Sequence, residues 1–273
     1  MEKLKISDLL DYKFLSGIVA SPSGKKAAFL ARQANKEKNS YDSWAYIADF
    51  CTGEVRKLTS FGAESHLLFD SEDTLLFSSV RKHEDKAKDG KEKTVFYRLS
   101  LKGGEAERAF DIPYSVNDMK KMADGSYVFS ATVDLNKPED EDGLKEYQDY
   151  HIIEELPYWE NGAYFVSRFR NTLFTYQEAE GVCERVTAPL FAVSGFELSG
   201  ETIVYTGVSY DQVLPMKNGM YGYDCRTKTT TEYVKDGDMH IGLFGCCGEG
   251  RDLKVFFAGS TMDKYGSGQY PDL

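Results

Sequence analysis

Cysteine is scarce in this chain, and what there is does not pair. Five occur in 273 residues, an odd number, and none stands in C-x-x-C spacing. Cys246 and Cys247 are adjacent, which suits neither a disulfide staple nor a zinc site. With Cys51, Cys183 and Cys225 they read as free thiols in a reducing compartment. No run approaches 18 apolar residues, so no membrane span is expected. The opening "MEKLKISDLLDYKF" has no apolar core and does not read as a secretory signal. A cytoplasmic location is the expectation.

Positive charge is also short. There are 33 Lys and Arg against 44 Asp and Glu, a formal net charge of −11. Phosphate binding needs clustered Lys and Arg, so no nucleic-acid partner is expected. Solubility alone accounts for the acidic excess. The common catalytic motifs are missing. There is no G-x-S-x-G elbow; "GVSYD" at Gly207 lacks the second Gly and the strand–turn–helix setting. There is no phosphate-binding or dinucleotide-binding glycine loop, no H-E-x-x-H and no EF-hand loop. His66, His83, His151 and His240 lie in separate stretches, none paired at helix spacing. No metal and no cofactor is expected.

Helical periodicity is nearly absent, "ISDLLDYKF" being the best short candidate. Proline is rare (7 residues), whereas Tyr (18) and Phe (17) are abundant. Aromatic residues favour strands, whose half-buried pleated faces accept large side chains. At this length, one large core or two small ones can form.

One element recurs, a tight turn followed by an apolar strand. It reads "SPSGKKAAFLAR", "DSEDTLLFSSV", "MADGSYVFSATV", "ELSGETIVYTGV" and "CGEGRDLKVFFAGS". The turn markers Gly24, Asp73, Gly125, Gly200 and Gly250 lie 49, 52, 75 and 50 residues apart. A second element follows the first four turns, two strands joined by a polar or glycine turn: "WAYIADFCTGEVRKLT", "TVFYRLSLKGGEAERAF", "NTLFTYQEAEGVCERVT" and "GMYGYDCRTKTTTEYV". Glycine supplies the positive φ of such hairpins; "YDCRTKT" lacks it and needs another turn type. Four antiparallel strands every fifty residues is the pattern of a β-propeller blade. A β-sandwich, the competing all-β reading, needs no such period.

The expected fold is all-β, an incomplete propeller of about four and a half four-stranded blades forming an open arc. The blades span about 14–60, 61–111, 112–189 and 190–236, with a half blade at 237–273. An insertion, 134–162, lengthens the third. Its first half is acidic and reads as an exposed loop. Its second half carries Ile152, Ile153, Leu156, Tyr158 and Trp159, which call for burial. A charged excursion, Arg81 to Lys93, reads as a long loop. The pair Glu154 and Glu155 is the one cluster with chemical interest. In a strand, neighbours point to opposite faces, so only one of them can face a cavity. The pair either grips a cationic group, such as a peptide amino terminus, or pairs with Arg168 or Arg170, or is simply solvated.

"SPSGKKAAFLAR", "EVRKLTS" and above all "EELPYWENGAYFVSRFRNTLFTY" resemble the N-terminal propeller of the prolyl oligopeptidase (S9) family of serine peptidases, in its acylaminoacyl-peptidase and dipeptidyl-peptidase-like branch. The resemblance covers essentially the whole chain. It implies a propeller joined to a C-terminal α/β-hydrolase domain with a Ser-Asp-His triad, a domain absent here. The propeller covers the active site and admits only small or unfolded peptides. Some relatives use propeller carboxylates to hold a substrate's amino terminus, which fits Glu154 or Glu155, although this sequence departs from the dipeptidyl-peptidase glutamate motif. By this reading the chain is the non-catalytic part of a peptidase, inactive alone, with no catalytic residue of its own. Its partners are peptide substrates through the parent enzyme. Self-association through open propeller edges is also expected. The alternative is a stand-alone TolB- or WD40-like scaffold for protein binding.

Overall fold

The computed structural model describes residues 5–82, 92–138, 140–147 and 149–272. His83 and most of the charged excursion lie outside the described residues. Two compact units divide at Met119/Lys120.

The first unit holds two four-stranded antiparallel sheets. One is β1 (Lys13–Ala20), β2 (Lys26–Asn35), β3 (Ser40–Asp49) and β4 (Val55–Lys57). The other is β5 (Glu64–Ser71), β6 (Thr74–Ser79), β7 (Thr94–Ser100) and β8 (Glu107–Ile112). Each strand pairs with the next in sequence, the meander of a propeller blade. A short 3₁₀ turn at Ile6–Leu10 precedes β1, where the sequence pattern placed a helix. Alternation along the strands sends Ala28, Leu30, Ala45 and Ile47 of the first sheet into one core with Leu67, Phe69, Leu75, Phe77, Val95 and Tyr97 of the second. Each fully buried Leu or Phe there stabilises by about 1.5–3 kcal/mol.

The unit boundary falls within β9 (Val116–Lys121). The third sheet is β9, β10 (Tyr127–Asp134), β13 (Phe169–Gln177) and β14 (Val182–Arg185). Between β10 and β13 lie α1 (Glu141–Tyr147) and a small hairpin of β11 (Trp159–Glu160) and β12 (Tyr164–Phe165). The fourth sheet is β15 (Phe191–Ser199), β16 (Thr202–Ser209), β17 (Asn218–Asp224) and β18 (Thr229–Cys247), continued by β19 (Lys254–Ser260). In the second unit Met122, Val128 and Leu173 pack with Val193, Phe196, Ile203 and Tyr205. The 19-residue β18 serves two partners: it pairs with β17 from Thr229 to Met239, with a register shift between, and with β19 from His240 to Cys247. Past a short 3₁₀ turn, Asp272 pairs with Gly259 on the far side of β19.

Polar devices recur with the repeat. Thr59 Oγ1 accepts the Ala45 N–H at 3.0 Å, and Thr187 Oγ1 accepts that of Leu173 at 3.2 Å, each from 14 residues downstream. A polar residue at or near the start of a third strand clasps the chain where it enters the next sheet. Thr94 Oγ1 accepts the Val116 N–H at 3.1 Å, Asn171 Nδ2 donates to Val193 O at 3.0 Å, and Asn218 exchanges two bonds with Ile241 at 2.7 and 3.1 Å. The third turn type is also repeated. Asp49 Oδ1 accepts the N–H groups of Cys51 and Thr52, and Asp224 Oδ1 those of Arg226 and Thr227. Gly53 closes the first of these turns at φ +73°; Lys228 occupies the equivalent place at φ +54°. The turn lacking glycine thus keeps the same geometry, with a lysine forced into the left-handed region.

Two expectations for the insertion are corrected. Its acidic first half is not all loop: "EDGLKEY" forms α1, its first turn held by the Gly143 N–H donating to Asp140 Oδ1 at 2.7 Å. Its apolar second half is not buried. Ile153, Leu156, Tyr158 and Trp159 are exposed, and Ile152 is half-buried.

Candidate functional site

The inversion within the insertion has a local cause. No strand forms at these residues, yet Glu155 turns inward and Glu154 outward. Glu155 is 2% exposed and meets Arg170, the largest fully buried side chain among the described residues, at the start of β13. Arg170 Nη2 donates to Glu155 Oε1 at 2.5 Å and Nη1 to Oε2 at 2.9 Å, a bidentate pair. The Arg168 N–H donates to the same Oε2 at 2.9 Å. Arg170 also donates to Leu190 O and to Tyr210 O and Oη, and its guanidinium carbon lies 3.7 Å from the Tyr210 ring centroid. Burial alone would raise the Glu155 pKa; the hydrogen bonds from Arg170 and Arg168, and their charges, outweigh it and hold the carboxyl below its ordinary value.

This lock fixes the backbone on either side. The Leu156 N–H donates to Gln212 O and the Leu214 N–H to Leu156 O, both at 2.8 Å, so the segment lies beside the loop joining β16 to β17. With Glu155 turned in, Glu154 is turned out. Its side chain is 56% exposed and lies 3.8 Å from Arg168 Nε. Arg168 Nη1 makes a 2.7 Å ion pair with Asp211 on that same loop. Arg168 and Tyr164 have φ of +65° and +64°, a conformation that bulky residues adopt only where surroundings compel it. Of the two sequence-predicted residues, Glu155 therefore has both oxygens engaged within the protein, while Glu154 presents its carboxylate at the surface.

The same segment carries uncovered aromatic and aliphatic groups. Trp159 packs edge-on against Tyr164 and Phe165, at 5.4 and 5.2 Å, and His151 stacks on Phe165 at 4.1 Å. Leu156 pairs with Val213, and Val213 and Met216 are exposed beside it. The contribution of residues 210–216 was missed in the sequence. Its signal was the apolar "VLPM" placed in a connection between strands.

Other groups are engaged elsewhere. In the first unit Glu64 is 1% exposed and pairs with Arg81 at 3.2 Å while accepting the Gly62 and Ala63 N–H groups. His66 hydrogen-bonds Ser78 Oγ at 2.7 Å, and burial lowers its pKa. A cleft of about 170 Å³ is lined by Asp124, Glu184, Tyr223, Cys225 and Lys228, and Lys228 there is paired with Glu184 at 2.8 Å. Burial pushes the Cys225 thiol up to about 11, away from nucleophilic character. Among the described residues no group of three or more His, Cys, Asp or Glu is placed to hold a metal, and no helix is long and apolar enough to cross a membrane.

No family model matches the chain. Over 121 residues it is 34% identical to the uncharacterized peptidase YuxL of Bacillus subtilis, a match covering 44% of this chain and 17% of that protein. Its fold is similar to that of the Pyrococcus horikoshii acylaminoacyl peptidase, with a TM-score of 0.64 at 15% identity, across 91% of this chain and 39% of that one. The resemblance to the prolyl oligopeptidase family holds in both sequence and fold. The β-propeller domain of the trilobed protease from Pyrococcus furiosus is similar too, with a TM-score of 0.52 at 19% identity, across 90% of this chain and 65% of that one. The chain thus spans less than two thirds of each relative, and what it shares with the solved ones is the β-propeller fold.

Proposed function

We propose that this chain is the non-catalytic propeller region of a peptidase of the prolyl oligopeptidase type, gating and selecting small peptides for an α/β-hydrolase domain. The observation that carries the reading is the joint match: sequence identity to a peptidase, on a fold similar to the propellers of peptidases, in a sequence with no nucleophile elbow. A propeller contributes to hydrolysis by controlling what reaches the nucleophile, not by attacking the bond. Within it, Glu154 is the carboxylate we assign to a cationic group of the peptide. Glu155 acts as a positioning residue through Arg170.

The test is a hydrolysis assay of the 273-residue chain with chromogenic acyl-peptide and dipeptide substrates. No turnover is expected. Turnover that a serine-directed inhibitor abolishes would show a nucleophile within these residues and overturn the reading.

A further inference from the structure

The insertion gathers exposed groups that ordinary folding does not require. Ile153, Leu156, Trp159, Tyr164, Val213 and Met216 are between 45% and 65% exposed. Ring contacts join Trp159 to Tyr164, and a backbone bridge joins Leu156 to Val213. Exposed apolar groups gathered on neighbouring segments mark interaction sites, and Trp and Tyr are the residues that dominate binding energy in such places. The surface is held rigidly from below by the buried Glu155–Arg170 pair, and its two positive-φ residues, Tyr164 and Arg168, store strain where recognition would use it.

Its charge selects the occupant. Glu154, Glu160 and Asp211 stand exposed around the apolar groups. The cations among them are engaged: Arg168 with Asp211 and Glu154, and Lys217, next to Met216, with Asp263. A second copy of this chain would bring the same three carboxylates face to face, on molecules each carrying a net charge of −11. An anionic lipid surface would be repelled for the same reason. A ligand with cationic groups flanking large apolar ones meets both features. Trp159 and Tyr164 offer ring faces to the cation as well as area to the apolar side chains.

We propose that this surface binds an extended peptide carrying Lys or Arg next to large apolar residues. The proposal deepens the substrate-selecting role above and rests on it, by naming the class of peptide selected.

The test is fluorescence anisotropy of the 273-residue chain with a fluorescein-labelled peptide of alternating Lys, Leu and Phe, and with its analogue bearing Glu for Lys. The cationic peptide is expected to bind and to weaken as salt rises, because exposed charges are screened. Trp159→Ala is expected to weaken it by about tenfold or more, and Glu154→Gln with Glu160→Gln by a smaller factor. Thermal melts matching the parent chain establish that these variants are folded. Equal binding of the acidic analogue, no binding of either peptide, or undiminished binding by folded Trp159→Ala would overturn the proposal. So would sedimentation showing a dimer that Trp159→Ala dissolves, since the face would then belong to a second copy. Each of these outcomes is independent of whether the chain hydrolyses chromogenic substrates, so the two readings fail separately.

Discussion

The regular sheets and the insertion obey opposite rules. In the sheets apolar side chains go inward: Leu75, Phe77, Phe129 and Leu173 are fully buried. In the insertion a carboxylate goes inward, to meet a guanidinium on β13, and Trp159, Ile153 and Leu156 stay in solvent. The sheets gain from burying apolar area. The insertion is held by backbone hydrogen bonds and by a buried ion pair whose desolvation is offset only while both members are present. It is a small region organised to present a surface rather than to hide one.

Removing half of that pair breaks the contrast most severely. Arg170→Ala leaves the Glu155 carboxylate buried without its partner and is expected to destabilise by about 3–5 kcal/mol in denaturant titration. Replacing both members with apolar residues of similar volume is expected to recover much of that loss. The pair also sets a pH dependence. Because the folded Glu155 pKa is depressed, its contribution is fully present above the ordinary value of 4.5 and is lost as pH falls through the lower folded value. Melting temperature against acid pH is expected to fall less steeply in Glu155→Gln.

In the sheets the clasps are the next most sensitive feature. Asn218→Ala strips partners from both the N–H and the C=O of Ile241, itself 2% exposed, at an expected cost of about 1–3 kcal/mol. Asn171→Ala, which releases Val193 O, is the control: amide exchange at residue 241 is expected to quicken in Asn218→Ala and not in Asn171→Ala. Lys228→Gly is expected to stabilise by about 1 kcal/mol, since it relieves the left-handed φ and gives up only an exposed ion pair with Glu184. Smallest of all is Trp159→Ser, which should change stability by no more than about 0.5 kcal/mol. A larger loss would mean that the insertion hides apolar area after all.

The repeating part of the fold was legible because its signals are local. Period-two alternation and turn glycines placed the sheets, and Thr59 and Thr187 sit at the same point of "EVRKLT" and "CERVT". The clasps were less visible, since each is a single polar residue before an apolar strand. A strand reading allowed only one of Glu154 and Glu155 to face a cavity, and left Arg168 and Arg170 open as partners; the segment is not a strand, and it is Glu155 that turns inward. That reading did not show that the apolar neighbours would stay outside. That outcome depends on Tyr210 and on residues 212–214, some fifty residues downstream of the insertion, whose approach no local pattern records. Lys228 is the reverse case, a missing glycine that suggested a different turn while Asp224 and Thr227 preserved the old one.

One consequence of β18 is topological. Between its pairing of Val234 with Met220 and of Met239 with Asn218, the strand takes on extra residues around Gly237, at φ +86°. The slack lets one continuous strand change partners without ending. The β18–β19 hairpin is thereby spliced to the fourth sheet through covalent backbone as well as packing, so neither can fray far without pulling on the register of the other.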